Sequence, residues 1–487
     1  MSQRAAISVA PGDGIGPEIT DAVVFILKEA GAAIDMDSII IGRQIYEQGM
    51  SSGIPDRAWE SIRSTKVLLK GPITTPQGGG YKSVNVTART TLGLFANVRP
   101  VRSFAPFVKT PFPGMDLVIV RENEEDTYGG IEHQQTDEVV QCLKLITRPG
   151  TERIVRYAFE YARANDRKKV HCLSKDNIMK LTDGLFHKVF NEIAPEYPEI
   201  ANDHMIIDIG TAKVAADPLR FDVIVTPNLY GDIISDVAAE VSGSVGLAGS
   251  ANIGVAAAMF EAVHGSAPDI AGRNIANPSG LLNGAVLMLM HIRQPDTAEL
   301  IQNAWLCAIE DGMHTADIKS AEYTKELLGT QEFARAVVDR LGKKPHTLKP
   351  AAHAKNEIHM DTVLHSHTPQ SIGARKAPKV LKGVDIFLDW DEADRNPNVL
   401  GKRLEDLAGP DFRMTMISNR GIKVYPDGAP ETYGTDHWCC RFVGGGLKNS
   451  NLIDLLTRID NEGIETIKTE NLYSFDGEAG YSKGQGE

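Results

Sequence analysis

At 487 residues and a formal net charge of −13, the chain has room for about three domains and lacks the basic surface that nucleic acid demands. Its 42% hydrophobic and 24% charged residues suit a globular protein in water, and no apolar run reaches the ~20 residues of a membrane span. The five cysteines (Cys142, Cys172, Cys307, Cys439 and Cys440) form no C-x-x-C pair, which points to reduced structural thiols and a cytoplasmic setting.

Short apolar runs alternate with helical patterns through about residue 345. The run Ala5–Ala10 reads as a strand, leaving no room for a signal peptide, and it leads into a helix over 17–31. KVLLKG, MDLVIV, KVHCLS, MIIDI, FDVIVTP and AAAMFEAV read as further strands. TERIVRYAFEYARAND and KLTDGLFHKVFNEIA read as amphipathic helices. This is an α/β pattern whose continuous apolar strands imply a sheet covered on both faces. VVQCLKLIT reads as an extra strand in an insertion near 126–148. The Pro-, Ala-, His- and Lys-rich stretch 346–378 reads as a linker. Its histidines (His346, His353, His359, His365 and His367) match no metal-ligand spacing and are expected to be solvated. Beyond it, 379–487 runs strand, helix, strand, strand, helix, strand, the order of a ferredoxin-like α+β domain, with Asn396 or Asn398 as a helix cap.

Chemistry concentrates in a few segments. Lys70–Arg102 packs Ser83, Asn85, Arg89, Arg99 and Arg102 behind the glycine-rich loop 78–80, and Arg121 follows. Several guanidinium groups in an acidic protein imply an anion with more than one carboxylate or phosphate. PGDGIGPEIT lacks the G-x-G-x-x-G spacing, so a Rossmann fingerprint fails, and a tight strand-to-helix turn explains it. In NLYGDIISD, Asp232 and Asp236 are four apart and share a helix face, a geometry suited to Mg²⁺ or Mn²⁺. The competing reading is acids attracted to a helix N-terminus. Asp208, at the end of the strand MIIDI, is a third candidate ligand. Lys175 and Tyr128 are candidates for proton transfer. The loop HGSAPDIAG offers backbone N–H groups for phosphate, while the Asp269 carboxylate accepts from ribose and repels a ribose phosphate, favouring NAD over NADP.

In order along the chain, GDGIGPE, KGPITTPQGGG, S-x-N-x-x-x-R at 83–89, RPVR, REN-EEDTYGG, K-x-NIMK, NLYGDIISD and HGSAPDIAG resemble the β-decarboxylating dehydrogenases of the isocitrate and isopropylmalate family, over residues 5 to about 340. The resemblance implies an α/β fold that is not a true Rossmann. Its large domain spans 1–94 and 243–345, and its small domain spans 95–242 and includes a dimer-forming insertion. Ser83 and Asn85 point to isocitrate within the family, and the C-terminal extension resembles that of the longer bacterial isocitrate dehydrogenases. The implied reaction is oxidative decarboxylation of isocitrate to 2-oxoglutarate and CO₂, with NAD as acceptor. Homoisocitrate or another 2-hydroxy diacid, an NADP-linked isocitrate enzyme, and a non-catalytic regulatory subunit are the alternatives.

By the same resemblance, Arg89, Arg99 and Arg121 clamp substrate carboxylates, with Ser83 and Asn85 on the third. Asp232, Asp236 and the partner subunit's Asp208 hold the metal. Lys175, also serving the partner's site, assists removal of the hydroxyl proton, and Tyr128 protonates the carbanion. Thr75 and Asn85 lie near the nicotinamide, while His264, Gly265, Ser266, Ala267, Pro268, Asp269, Ile270 and Asn277 bind the adenosine half. A homodimer or higher homo-oligomer with shared sites follows, with neither nucleic acid nor membrane as partner.

Overall fold

The computed structural model describes residues 4–75, 83–353, 358–364, 377–428 and 431–484. The glycine-rich loop 78–80 and the parts of the expected linker at 354–357 and 365–376, with His365 and His367, lie outside the described residues. The chain forms two compact units, Met1–Gly129 with Lys144–Ser366, and Gly130–Leu143 with His367–Glu487.

Ten strands of the first unit form one sheet: β1 (Ala5–Ala10), β2 (Ile34–Ser38), β3 (Val67–Lys70), β4 (Ala96–Arg102), β5 (Asp116–Glu122), β8 (Lys169–Ser174), β9 (Ala201–Ile206), β10 (Val223–Thr226), β11 (Gly249–Ile253) and β12 (Ala258–Ala262). Their order is β2-β1-β3-β12-β11-β4-β5-β10-β8-β9. The outer strands pair in parallel, whereas β12-β11, β11-β4 and β4-β5 are antiparallel. This mixed sheet is the α/β fold expected and departs from a Rossmann sheet. β2, β4 and β11 are not among the expected strands: β2 carries Asp35 and Asp37, Pro100 breaks the strand pattern of β4, and Gly249 opens β11. Two minor strands, β13 (Met313–His314) and β14 (Glu326–Leu327), pair separately.

Helices cover both faces because their apolar stripes have nowhere else to go. On the Gly16–Glu29 helix, Ile19, Val23, Ile26 and Leu27 recur at helical spacing and are all buried. Each such side chain contributes about 1.5–3 kcal/mol by leaving water. Thr147 caps the Arg148–Ala164 helix by accepting from the Gly150 N–H. The expected strand MIIDI is a correction: β9 ends at Ile206, and Asp208 lies in the first turn of the helix Ile207–Ala216. A short apolar run does not distinguish strand from helix, and the helix dipole favours an acid at that position. Among the described residues no helix is long and apolar enough to cross a membrane.

In the second unit, β15 (Lys379–Asp389), β16 (Arg413–Asn419), β17 (Ile422–Tyr425), β18 (His437–Val443), β19 (Glu465–Phe475) and β20 (Glu478–Ala479) form an antiparallel sheet ordered β17-β16-β18-β15-β19-β20. The helices Pro397–Leu407 and Asn449–Asn461 complete the ferredoxin-like order, and Asn396 is the cap. Cys440 is buried and Cys439 half-buried, as alternation on β18 requires. The insertion hairpin, β6 (Glu132–Gln134) with β7 (Val140–Cys142), belongs to this unit. Glu138 accepts two hydrogen bonds from Arg395 at 2.8 and 2.9 Å, Thr136 donates to Asp436 at 2.6 Å, and Lys468 donates to Gln141 at 2.6 Å.

Candidate active site

Strand register decides which arginines meet. Asn97 on β4 lies opposite Arg121 on β5, so the two share a face of the sheet, and Arg99, two residues on, joins them. Arg102 is three residues beyond Arg99 and faces the other way, where it pairs with Asp116 at 2.9 Å. Arg102, grouped with the clamp on sequence alone, is therefore a structural ion pair. β10 runs beside β5 and feeds the helix Asn228–Ser242, which carries Asp232 and Asp236 over the same face. Gly231 makes that approach possible, since a Cβ there would lie 2.5 Å from Arg121 Cγ. Neither acid lies in the first turn, so the helix dipole does not explain them.

Asp232 gathers three donors. Arg99 reaches it at 3.1 Å, and Arg121 and the Tyr128 hydroxyl also donate to it. Burial raises the Asp232 carboxyl, but Arg121 and Arg99 outweigh it, and the group is held below the ordinary carboxylate value. Asp236 is raised by burial, opposed by Arg99 at 3.6 Å and reinforced by the charge of Asp232. Arg121 is pushed down to about 10 by burial and by Arg99 and Arg89. The Tyr128 hydroxyl is raised by burial, against the pull of Arg121.

Arg89 projects from the helix Val84–Thr91 and is held by Glu261 at 2.9 Å, which also takes Lys70 at 2.8 Å. Asn252 donates to Glu261 at 2.8 Å, Asn97 donates to Asn252 at 2.8 Å, and Arg99 donates to Asn97 at 2.6 Å. A buried polar chain thus crosses β3, β12, β11 and β4 and links Arg89 to Arg99. Sequence reasoning missed Glu261 and Lys70. The signal was available as two charged residues inside otherwise apolar strands. Asn85 Oδ1, Arg89 Nε and Arg121 Nη2 are enclosed and have no protein partner. Buried polar atoms without partners are uncommon, and here two donors and an acceptor occur among the expected substrate contacts.

The expected cofactor residues are assembled by interlocking loops. Asp13 accepts from the Thr74 N–H at 2.9 Å, the Thr74 and Ser266 hydroxyls meet at 2.7 Å, and the Ile15 N–H bonds the Ser266 carbonyl at 2.9 Å. Gly14 has φ +58°, and a Cβ there would lie 2.0 Å from the Ser266 carbonyl oxygen, so PGDGIG is built for loop packing. Thr75 approaches Ser83 at 3.3 Å, His264 Nε2 is enclosed without a partner, and Asn277 donates to Asp317 at 3.0 Å. Gly265, Pro268 and Asp269 are exposed, Ala267 and Ile270 half-buried and Ser266 buried. Asp317, which also accepts from Ser244 at 2.8 Å, is a further residue that sequence reasoning missed.

Lys175 and Asp208 stand apart. They pair with each other at 3.0 Å, and among the described residues neither makes an ion pair or hydrogen bond with Asp232, Asp236 or Tyr128. The fold therefore separates the expected constellation into two groups within one chain.

A mixed sheet of this order, with arginines, paired acids and a tyrosine gathered on one face, defines an α/β protein with a polar, charged site that is not a Rossmann one. The chain belongs to the isocitrate/isopropylmalate dehydrogenase family, which matches residues 6–337, and residues 379–487 match the bacterial isocitrate dehydrogenase C-terminal domain, so it is of the longer bacterial type. It is 55% identical over 491 residues to "Isocitrate dehydrogenase [NADP]" of Rickettsia bellii, covering 100% of both chains. It is 44% identical to the protein of the same name from Thermus thermophilus, covering 99% of this chain and 96% of that one. The crystal structure of the TT0538 protein from Thermus thermophilus superposes with a TM-score of 0.91 at 43% identity, over 99% of this chain and 96% of that one. Isocitrate dehydrogenase from Methylococcus capsulatus gives 0.66 at 47% identity, over 69% and 99%.

The NADP named for these full-length relatives overturns the sequence-based choice of NAD. That choice leaned on Asp269, which is exposed. An exposed carboxylate is screened by water and salt and repels a phosphate only weakly. Arg273, four residues on, is exposed as well.

Proposed function

We propose that this protein is an NADP-linked isocitrate dehydrogenase that converts isocitrate to 2-oxoglutarate and CO₂. The observation that carries the reading is the set of enclosed, unpartnered atoms on Asn85, Arg89 and Arg121. Two guanidinium donors and an amide acceptor suit a substrate with several carboxylates and a hydroxyl. Arg99 completes the clamp, and Ser83 beside Asn85 suits a polar third carboxylate where an alkyl group would find no partner.

Asp232 and Asp236 are oxygen donors on one helix face. Burial has raised Asp236 and the charge of Asp232 adds to this, an environment that welcomes a hard divalent cation such as Mg²⁺ or Mn²⁺. The partner subunit's Asp208 supplies the third ligand. When bound, the ion stabilises negative charge on substrate oxygen, and the nicotinamide accepts the hydride. The arginines orient the carboxylates. The partner subunit's Lys175 assists removal of the hydroxyl proton. Tyr128, kept protonated by burial, returns a proton to the carbon that has lost CO₂. Arg273 is the nearest candidate in sequence for a cofactor 2′-phosphate. His264 to Ile270, Asn277 and Thr75 line the remaining cofactor path.

A homodimer with shared sites accounts for the separation of Lys175 and Asp208 from Asp232. Exposed Ile178, Leu181, Ile209 and Ile233 lie on the Lys175 loop and the two helices that carry these acids, and they offer an apolar surface for a second copy. We place the substrate cleft between a large domain (1–94 and 243–345) and a small domain (95–242), in a cytoplasmic enzyme. Steady-state rates with isocitrate and Mg²⁺ test the function. A higher kcat/KM with NADP than with NAD is expected. Absence of isocitrate turnover, or a preference for NAD, refutes it.

A further inference from the structure

Beside the Lys175 loop lies a second group of ligand-type side chains that the dehydrogenase chemistry leaves unused. Asp176 follows β8, His187 lies in the helix Thr182–Ile193, and His204 lies on β9, opposite Cys172. Asp176 turns one oxygen to each ring: Oδ2 is 2.6 Å from His187 Nδ1, and Oδ1 is 3.8 Å from His204 Nε2. Ser174 Oγ lies 2.8 Å from the same His204 nitrogen. One ligand atom from each of the three residues lies within 4.8 Å of the other two, and all three residues are partly buried.

The two imidazoles stack with centroids 3.5 Å apart and planes 12° from parallel. Two imidazolium cations repel strongly at that spacing, so at least one ring stays neutral and keeps a lone pair for a ligand. Four ligands at about 2 Å around a tetrahedral ion stand about 3.3 Å from one another. With one ligand atom taken from each residue, the three lie within 4.8 Å of one another, so no pair needs to close by more than about 1.5 Å to reach that spacing.

We propose that Asp176, His187 and His204 form a binding site for a zinc-class divalent ion, separate from the oxygen-only set of Asp232, Asp236 and Asp208. Two imidazole nitrogens and one carboxylate are a borderline donor set that selects Zn²⁺ or Co²⁺ over Mg²⁺, and they leave a fourth position open. The ion ties the residue after Lys175 to the strand that leads to Asp208, so it restrains the Lys175–Asp208 pair. Any effect on turnover rests on the role assigned to Lys175, whereas binding itself does not.

The test is Zn²⁺ titration of the full-length protein in excess Mg²⁺, read by competition with a chromogenic chelator. One site per chain is expected, weakened about tenfold or more in His187→Gln/His204→Gln and retained in Asp232→Asn. Equal affinity in the double variant, or loss in Asp232→Asn instead, overturns the proposal. Co²⁺ added to the unaltered protein supplies a check that needs no variant. The strong visible absorption of a four-coordinate nitrogen–oxygen site supports the proposal, and only the weak absorption of six oxygen ligands refutes it. Loss of the Zn²⁺ site with normal isocitrate kinetics, or the reverse, separates this inference from the dehydrogenase reading.

Discussion

Replacing Glu261 with Gln tests the buried polar chain that holds Arg89. Glu261 is 4% exposed, and it joins Lys70 (1%) and Arg89 (9%) at 2.8 and 2.9 Å. The substitution keeps the shape but leaves two buried cations facing a neutral amide. Removing one partner of a buried ion pair costs about 3–5 kcal/mol, because the remaining charge is desolvated without compensation. Glu261 Oε1 also accepts from Asn252, so the chain towards Arg99 loosens as well. The assay is native-state hydrogen exchange of peptides covering Val67–Lys70 and Ala258–Ala262. A loss of about 3–5 kcal/mol reads as a fall in protection of roughly 150- to 5,000-fold in the first unit. Peptides of Lys379–Asp389 in the second unit are expected to be unchanged. KM for isocitrate is expected to rise with kcat less affected, since Arg89 loses its anchor.

The pH dependence gives an independent check. Burial raises the Glu261 carboxyl, but Lys70 and Arg89 hold it well below its ordinary value of 4.5. A depressed folded-state value means that its stabilisation is fully present above about 4.5 and is lost as pH falls through the folded value. The difference between native protein and variant is therefore expected to be flat from neutral pH to about 5 and to shrink below that. Unchanged protection together with an unchanged KM refutes the reasoning.

Tyr128→Phe is expected to lower kcat by about 10²- to 10⁴-fold while KM for isocitrate moves little, measured by steady-state kinetics. Glu122 is enclosed, accepts from the Glu124 N–H at 2.7 Å, and is raised by burial to about 8. Its raised value favours the folded state below about 4.5, and that advantage is lost as pH rises to about 8. Glu122→Gln is accordingly expected to gain in denaturant midpoint relative to the native protein as pH rises from 5 to about 9, and a pH-independent difference contradicts the assignment. Mixing Lys175→Ala with Arg89→Ala protein is expected to restore part of the activity, because one site in the mixed dimer is intact. No recovery despite subunit exchange, followed by mass spectrometry, excludes shared sites.

Much of the fold was legible because its signals are local. The alternation of apolar strands with amphipathic helices, the Asn396 cap and the strand–helix order of the C-terminal domain each depend on residues close in sequence. β9 misread at Ile207 and the unnoticed β2, β4 and β11 show where local pattern fails. An apolar run of three residues suits either element, and Pro100 or Gly249 hides a strand that its neighbours hold in place. The linker histidines divide similarly: His346 and His359 are exposed, but His353 is half-buried with Nε2 enclosed and unpartnered.

The sequence by itself determined the residue types of the candidate site: arginines, acids four apart, a tyrosine, a lysine, and a loop of small residues. Their charge and reach are properties of the side chains, so spacing alone exposes them. Only the tertiary structure decided which of them meet. Strand register put Arg99 and Arg121 on one face and turned Arg102 away. A buried glutamate from a distant strand anchored Arg89. Lys175 and Asp208 were paired with each other and kept from Asp232. Ion pairs and exposure depend on distances across the sheet, which no order of residues along the chain contains.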